Sequence, residues 1–328
     1  MFKKLRAVVM LSVGVLFLPQ PALAEENYSD HAQAKAFVEK MVSEHNFDRG
    51  YVQQLMAEAT RKQTILDAIA RPAEKTKTWA EYRKIFVNEL RISQGREFMQ
   101  QYAEPLARAE RDFGVPANII SAIIGVETRY GRHKGNYRVI DALTTLGFDY
   151  PPRSKFFSSE LEQYLLLTRE QGFNAAELKG SYAGAMGYGQ FISSSYRHYA
   201  IDYDGDGIAD IVNNPVDAIG SVANYFKSHG WLPGEVITVK ARVSKGFDAK
   251  VANQNLKPTL TVAALQDKGY QPVTPVAAEQ VATAMILEGE SGEEYWLGLQ
   301  NFYVITRYNH SALYAMAVYQ FSEQLVAN

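Results

Sequence analysis

Ile119-Ile120-Ser121-Ala122-Ile123-Ile124-Gly125-Val126-Glu127-Thr128-Arg129-Tyr130-Gly131 is the stretch around which this chain is organised. Its apolar run predicts a helix. Ile120, Ile123, Ile124 and Glu127 follow the i, i+3, i+4, i+7 spacing and so share one face. That spacing puts a carboxyl group on the face expected to be buried. Burial disfavours the charged form of a carboxyl, and an acid that stays protonated near neutral pH suits general-acid chemistry. An ordinary role is equally open at this point. A Glu at the end of an apolar helix often serves as an ion-pair partner, and Arg129 and Arg132 lie close by in sequence.

Upstream of this helix the pattern is helical. Phe37, Val38, Met41 and Val42 form an apolar stripe, and Asp48 is placed to cap a second helix carrying Val52, Leu55 and Met56. Trp79 to Ile92 and Arg96 to Phe113 read as helices, the latter interrupted near Pro105. Gly114 ends that run, and Pro116 suits the first turn of the next helix. Downstream, Ser158 to Gln171, Pro215 to Gly230 and Ser311 to Val326 read as helices. Val236 to Val243 alternates and is β-branched, which predicts a strand. Val281 to Leu287 and Phe302 to Ile305 are strand-like as well, with a short helix expected over Leu260 to Lys268.

The ends and the composition narrow the function. Lys3, Lys4 and Arg6, the apolar run Val8 to Leu18 and the small-x-small site Ala22-Leu23-Ala24 predict a signal peptide over residues 1–24. The run of about 11 residues is too short for a bilayer span. The chain of 328 residues has no cysteine, which removes disulfides, thiolate catalysis and a lipid-anchoring Cys. A soluble periplasmic protein, cut near Ala24 and without an integral membrane segment, is expected. Losing Lys3, Lys4 and Arg6 takes the formal charge from −2 to −5, which argues against nucleic acid. Twenty Tyr, 16 Phe and 3 Trp suit a carbohydrate partner better, because aromatic faces pack on sugar faces.

Three further motifs carry chemistry. Asp202-Tyr203-Asp204-Gly205-Asp206-Gly207-Ile208 follows the D-x-D-x-D-G pattern of an EF-hand loop. Asp202, Asp204 and Asp206 supply side-chain oxygens, and Ile208 its carbonyl. Position 12 is Asn213 rather than the usual Glu, and Asp210 at position 9 compensates in part. Ca²⁺ in a structural role is expected. Gly180-Ser181-Tyr182-Ala183-Gly184-Ala185-Met186-Gly187-Tyr188-Gly189-Gln190-Phe191 offers a backbone that a ligand can approach closely, with hydroxyl and amide groups suited to sugars. Thr306-Arg307-Tyr308-Asn309-His310-Ser311 reads either as functional or as a helix cap through Asn309 or Ser311.

These segments, together with Asp217 to Tyr225, occur in the order found in the lytic transglycosylase B family, which the chain resembles from about Trp79 to its C-terminus. The resemblance implies an α+β, mainly α fold. It comprises a lysozyme-like core over 111–233 and 301–328, an N-terminal helical domain over 25–110, and a small β-containing insertion over 234–300. The EF-hand-like loop spans 202–213. The resemblance implies cleavage of the MurNAc-GlcNAc β-1,4 bond of peptidoglycan with formation of 1,6-anhydromuramic ends. Glu127 would act as acid and then as base. Ser181 would orient the acetamido group, and Gln190 and Phe191 would line the cleavage site. Tyr308 and Asn309 would contact sugar and Glu127, Tyr82, Tyr225 and Tyr314 would be groove aromatics, and Arg153 would meet a carboxylate of the substrate. Glycan strands are the implied partner, with cell-wall synthesis complexes beside them. The best-known members carry a lipid-bearing Cys after the signal; its absence here removes that anchor. A hydrolytic muramidase and a non-catalytic wall-binding protein are the competing readings.

Overall fold

The Ala117–Thr128 helix is apolar on every side, and the fold places it accordingly. In the computed structural model, which describes residues 27–70 and 77–327, Ile119 to Val126 and Thr128 are all buried. Glu127 alone in that run is half-buried. A helix without a polar face belongs in the centre of a domain. Helices Glu89–Gln101, Ala103–Phe113, Pro215–Ser228 and Ala312–Val326 pack around it. Burying Ile119, Ile120, Ile123 and Ile124 contributes about 2 kcal/mol each. The expected signal segment 1–24 lies outside the described residues.

The end of this helix is sharp. Arg129, Tyr130 and Gly131 take φ of 51°, 59° and 80°, three left-handed residues in succession. The conformation costs about 1–2 kcal/mol for each non-glycine residue, so packing must hold it. The Tyr130 ring wedges between two helices at their glycines. A Cβ on Gly95 would lie 2.3 Å from Tyr130 Oη, and one on Gly125 would lie 2.5 Å from it. Thr128 Oγ1 accepts from Gly131 N–H at 3.0 Å and closes the turn.

Among the described residues, hydrophobic side chains gather in three cores. Residues 28–65 join Val139–Asp149 and Ser154–Gln171, with Met186, Phe191 and Tyr225 at the margin. Trp79 to Ala109 join the Glu127 helix, Pro215–Ser228 and the two C-terminal helices. The third core belongs to the β-rich segment, over Val239 to Leu299. Strands are β1 (Tyr137–Arg138), β2 (Lys179–Gly180), β3 (Thr238–Val243), β4 (Leu260–Thr261), β5 (Tyr270–Pro272), β6 (Val281–Gly289) and β7 (Gly292–Gly298). β1 and β2 pair with each other, and the rest form one antiparallel sheet in the order β4-β6-β7-β3-β5.

Local signals hold at several ends. Asp48 caps Arg49–Glu58 by accepting from Tyr51 N–H, Gly114 ends Ala103–Phe113 at φ 72°, and Pro116 precedes the Glu127 helix. Others do not. Phe302 to Ile305, expected as a strand, lies inside the helix Gln300–Tyr308. A four-residue apolar run has no period of its own, and here Phe302, Val304 and Ile305 are all buried by neighbouring helices. The expected helix Trp79 to Ile92 breaks at Val87, because Asn88 caps a new helix by accepting from Arg91 N–H. The break expected near Pro105 falls at Tyr102. Pro105 instead sits in the first turn of Ala103–Phe113, where no N–H is needed. Helix Val139–Asp149 and strand β7 carried no signal that sequence reasoning used.

Candidate active site and metal loop

Glu127 lies one residue from the end of its helix and meets Tyr314. The Tyr314 hydroxyl donates to Glu127 Oε1 at 2.6 Å. Tyr314 is 2% exposed and sits in the first turn of Ala312–Val326, whose N-cap Ser311 accepts from Tyr314 N–H at 3.3 Å. The helix-cap role left open in sequence thus falls to Ser311. Burial, and then the charge of Glu127, push the Tyr314 phenol well above its ordinary value of 10.0. It stays a donor throughout the neutral range.

Tyr308 closes a second side. Burial and the proximity of Glu127 likewise raise its phenol, which donates to Gly189 O at 2.5 Å. Gly189 has to be a glycine here, since a Cβ would lie 2.7 Å from Tyr308 Oη. Phe191 is 3% exposed and faces Tyr225 and Tyr308 at 5.7 and 5.8 Å. Tyr225 donates to Arg307 O at 2.6 Å and meets the Tyr308 ring edge-on at 4.8 Å. His229, absent from the sequence reading, stacks on Tyr225 at 4.0 Å.

Backbone contacts tie the glycine-rich loop to the acid. Thr128, next to Glu127, donates to Tyr188 O at 2.9 Å. Gln190 adopts a left-handed φ of 50° and donates its amide to Lys134 O and Gly187 O at 3.2 and 3.0 Å. Ser181 Oγ accepts from Ala185 and Ala183 N–H at 3.0 and 3.3 Å, which sets the turn that opens the loop. Asn309 is half-buried directly after Tyr308. Tyr82 is buried beside Tyr314. Arg153 is exposed, with its guanidinium over Phe156 and Phe157 at 4.3 and 5.0 Å. Arg129, weighed as an ion-pair partner for Glu127, donates to Gln94 at 2.7 Å.

The acidic loop folds as a tight coil around its own N–H groups. Asp202 accepts from Gly205, Asp206 and Gly207 N–H, Asp204 from Asp206, and Asp206 from Ile208. Gly205 and Gly207 hold φ of 85° and 98°. The third carboxylate is one the sequence reading missed. Asp217, 0% exposed in the first turn of Pro215–Ser228, accepts from Tyr203, Asp204 and Asp210 N–H. Oxygens of Asp202, Asp204 and Asp217 all lie within 4.8 Å of one another. Burial pushes the Asp217 carboxyl up, against the N–H donors that pull it down. Three carboxylates this close could hold a cation, and their hard oxygens suit Ca²⁺. Asn213, the position-12 candidate, donates its amide to Asp210 at 3.1 Å. The sequence signals for Asp217 were its place just inside a Pro-started helix that follows the loop and its place in the Asp217 to Tyr225 segment.

The loop also touches the active-site framework. Tyr188 N–H donates to Ile211 O at 3.0 Å, and Lys134 Nζ to Val212 O at 2.7 Å. On its other side Arg108 lies 3.7 Å over the Tyr203 ring.

The chain is similar to known proteins over most of its length. Residues 29–323 match the family described as transglycosylase SLT domain. Membrane-bound lytic murein transglycosylase B of Escherichia coli (strain K12) is 42% identical over 323 residues, covering 95% of this chain and 88% of that protein. The crystal structure of soluble lytic transglycosylase SltB1 from Pseudomonas aeruginosa superposes with a TM-score of 0.86 at 51% identity, covering 89% of this chain and 98% of that one. The Escherichia coli lytic transglycosylase Slt35 in complex with calcium gives 0.85 at 43% identity, covering 92% and 95%.

Proposed function

Because the chain belongs to the transglycosylase SLT domain family of peptidoglycan lytic transglycosylases, we propose that Glu127 alone supplies both proton transfers of a non-hydrolytic glycan cleavage. The observation that carries this reading is the single half-buried carboxyl at the end of a buried helix, held by Tyr314. As an acid, Glu127 gives its proton to the glycosidic oxygen between MurNAc and GlcNAc while the C1–O bond breaks. The 2-acetamido group of the substrate supports the cationic C1. The carboxylate left behind then takes the proton of the muramic C6 hydroxyl as that oxygen attacks C1 and closes the 1,6-anhydro ring. Most glycosidases need a second carboxyl to activate water or to act as nucleophile. Here the substrate supplies the nucleophile itself.

One group serving both steps needs opposed influences. Burial favours the neutral acid, whereas the Tyr314 hydrogen bond favours the carboxylate. Tyr308, Phe191 and Tyr225 provide an aromatic wall for sugar faces. Ser181, Gln190 and Asn309 provide polar contacts to acetamido and hydroxyl groups, Tyr82 supports Tyr314, and Arg153 receives a substrate carboxylate. Asp202, Asp204 and Asp217, with the loop carbonyls, would hold Ca²⁺, which when bound neutralises the loop and leaves the sugar chemistry to Glu127. Among the described residues no helix is long and apolar enough to cross a membrane; the reading includes export to the periplasm with cleavage near Ala24.

The test is the mass of the products from purified sacculi. Anhydromuramic ends, lighter by one water than reducing ends, are expected, and Glu127→Gln should abolish them. Reducing muramic ends as the main product would mean hydrolysis. Unchanged turnover by the Gln variant would remove Glu127 from the chemistry.

A further inference from the structure

Two loops flank the turn behind Glu127, and Lys134 touches both. Its ammonium donates to Val212 O at 2.7 Å and lies 4.9 Å from the centre of the Tyr188 ring. Its carbonyl accepts from the Gln190 amide at 3.2 Å. Lys134 is half-buried, so these contacts are partly shielded from salt and water. The glycine-rich loop needs such outside support. Gly187 and Gln190 are left-handed, at φ of 75° and 50°, and the conformation costs the non-glycine residue about 1–2 kcal/mol. Gly187 backs directly onto the next segment, where a Cβ would collide with Ile211 O. From the other side, residues 210–212 are fixed by the acidic loop. Asp217 Oδ2 accepts from Asp210 N–H at 2.8 Å, and Asp210 Oδ1 accepts from Val212 and Asn213 N–H at 2.9 Å each. Thr128, next to Glu127, donates to Tyr188 O at 2.9 Å. Asp217, Asp210, Val212, Lys134, Tyr188 and Thr128 therefore form one continuous series of contacts.

We propose that Lys134 is a positioning residue that couples the acidic loop to the cleavage site, so that a cation in the loop and a glycan strand beside Glu127 each strengthen the binding of the other. The inference rests on the reading of the chain as a peptidoglycan-cleaving enzyme whose acidic loop takes Ca²⁺. Its physical ground is the backbone the two sites share. A cation held by Asp217 fixes residues 210–212, and Val212 O then fixes the Lys134 ammonium. Lys134 in turn steadies Tyr188 and Gln190 in the loop that faces the sugar. A strand that orders this loop fixes the same contacts from the opposite end. Ordering imposed by one ligand need not be imposed again by the second. The backbone bond from Tyr188 N–H to Ile211 O, 3.0 Å long, runs in parallel and survives any change at Lys134. Lys134 thus carries the larger part of the coupling rather than all of it.

Binding measured without turnover tests this, with Glu127→Gln as the background that stops cleavage. Ca²⁺ is titrated by calorimetry into this protein alone and with glycan strands stripped of peptide, and the strands are titrated with and without Ca²⁺. Each ligand should raise the affinity for the other by the same factor, roughly fivefold to tenfold. Adding Lys134→Met keeps the stem and removes the donor; the factor should fall to about twofold or less while both ligands still bind. Lys134→Arg, which keeps a donor, should restore it. A merely structural Lys134 would lower the melting temperature or both affinities and leave the factor unchanged. An unchanged factor in Lys134→Met, no mutual effect with Lys134 present, or no Ca²⁺ binding at all overturns the proposal while the enzymatic reading stands. Strands that neither bind nor are cleaved by the unsubstituted protein would remove the enzymatic reading and this inference with it.

Discussion

Gly125→Ala sets two local effects against each other, and the structure decides the sign. Alanine is the better helix former by about 1 kcal/mol, so propensity alone predicts stabilisation. The added Cβ, however, would lie 2.5 Å from Tyr130 Oη, 2.7 Å from Tyr130 Cζ and 2.8 Å from Phe321 Cε1. Tyr130 has nowhere to retreat, because its Oη already sits 2.3 Å from where a Cβ on Gly95 would be. Overpacking of this kind costs about 1–3 kcal/mol, and three simultaneous contacts place it at the upper end. The net expectation is a loss of about 1–2 kcal/mol, read as a lower urea midpoint at unchanged slope. A drop in kcat should accompany it, since Tyr130 anchors the turn that follows Glu127. The partner substitution sharpens the test. Tyr130 Oη is buried without a hydrogen-bond partner, so Tyr130→Phe should be neutral or mildly stabilising. It removes the nearest clashing atom as well, so the two substitutions together should recover part of the loss. A Gly125→Ala protein at least as stable as its parent, or additive effects in the double variant, would refute the wedge.

Tyr314→Phe removes a hydrogen bond to an ionisable carboxyl worth about 1.5–3 kcal/mol; kcat should fall roughly tenfold to a hundredfold with circular dichroism unchanged, and near-parental kcat would count against the role of Tyr314. Chelation of Ca²⁺ should lower the melting temperature through linkage, and Asp217→Asn should weaken that response more than Asn213→Ala; the reverse order would return the main ligand role to position 12. Tyr308 and Tyr314 have phenols raised above 10.0 by burial and by Glu127. The unfolded chain therefore ionises first, so the stability these groups contribute is present below pH 10 and is lost as pH rises beyond it. Melting temperature against pH should fall above pH 10 less steeply in Tyr314→Phe than in the parent, and identical slopes would contradict the assignment.

Much of the site was legible because its parts are local motifs. The Glu127 helix, the D-x-D-x-D-G loop and the helix starting at Pro215 each announce themselves through short-range periodicity or turn chemistry. The face argument for Glu127 was too narrow, since the helix is buried on all sides and the acid is set apart by its place at the end. Phe302 to Ile305 was misread because β-branched apolar residues suit either structure and only burial chooses. Tyr130, Thr128 and His229 gave no signal, because their roles depend on what packs against them.

The sequence by itself determined which chemistry was on offer: one acid on an apolar helix, an acidic loop, a glycine-rich loop and a closing Tyr-Asn pair. These are encoded within a few residues, where backbone preference and side-chain spacing act. The tertiary structure decided how they are used. Only packing brings the Tyr314 hydroxyl to Glu127 across 187 residues of chain. Only the entry of the Pro215 helix carries Asp217 up to the acidic loop. Such contacts link buried polar groups of distant segments, and their energy depends on burial and hydrogen bonds that no single stretch contains.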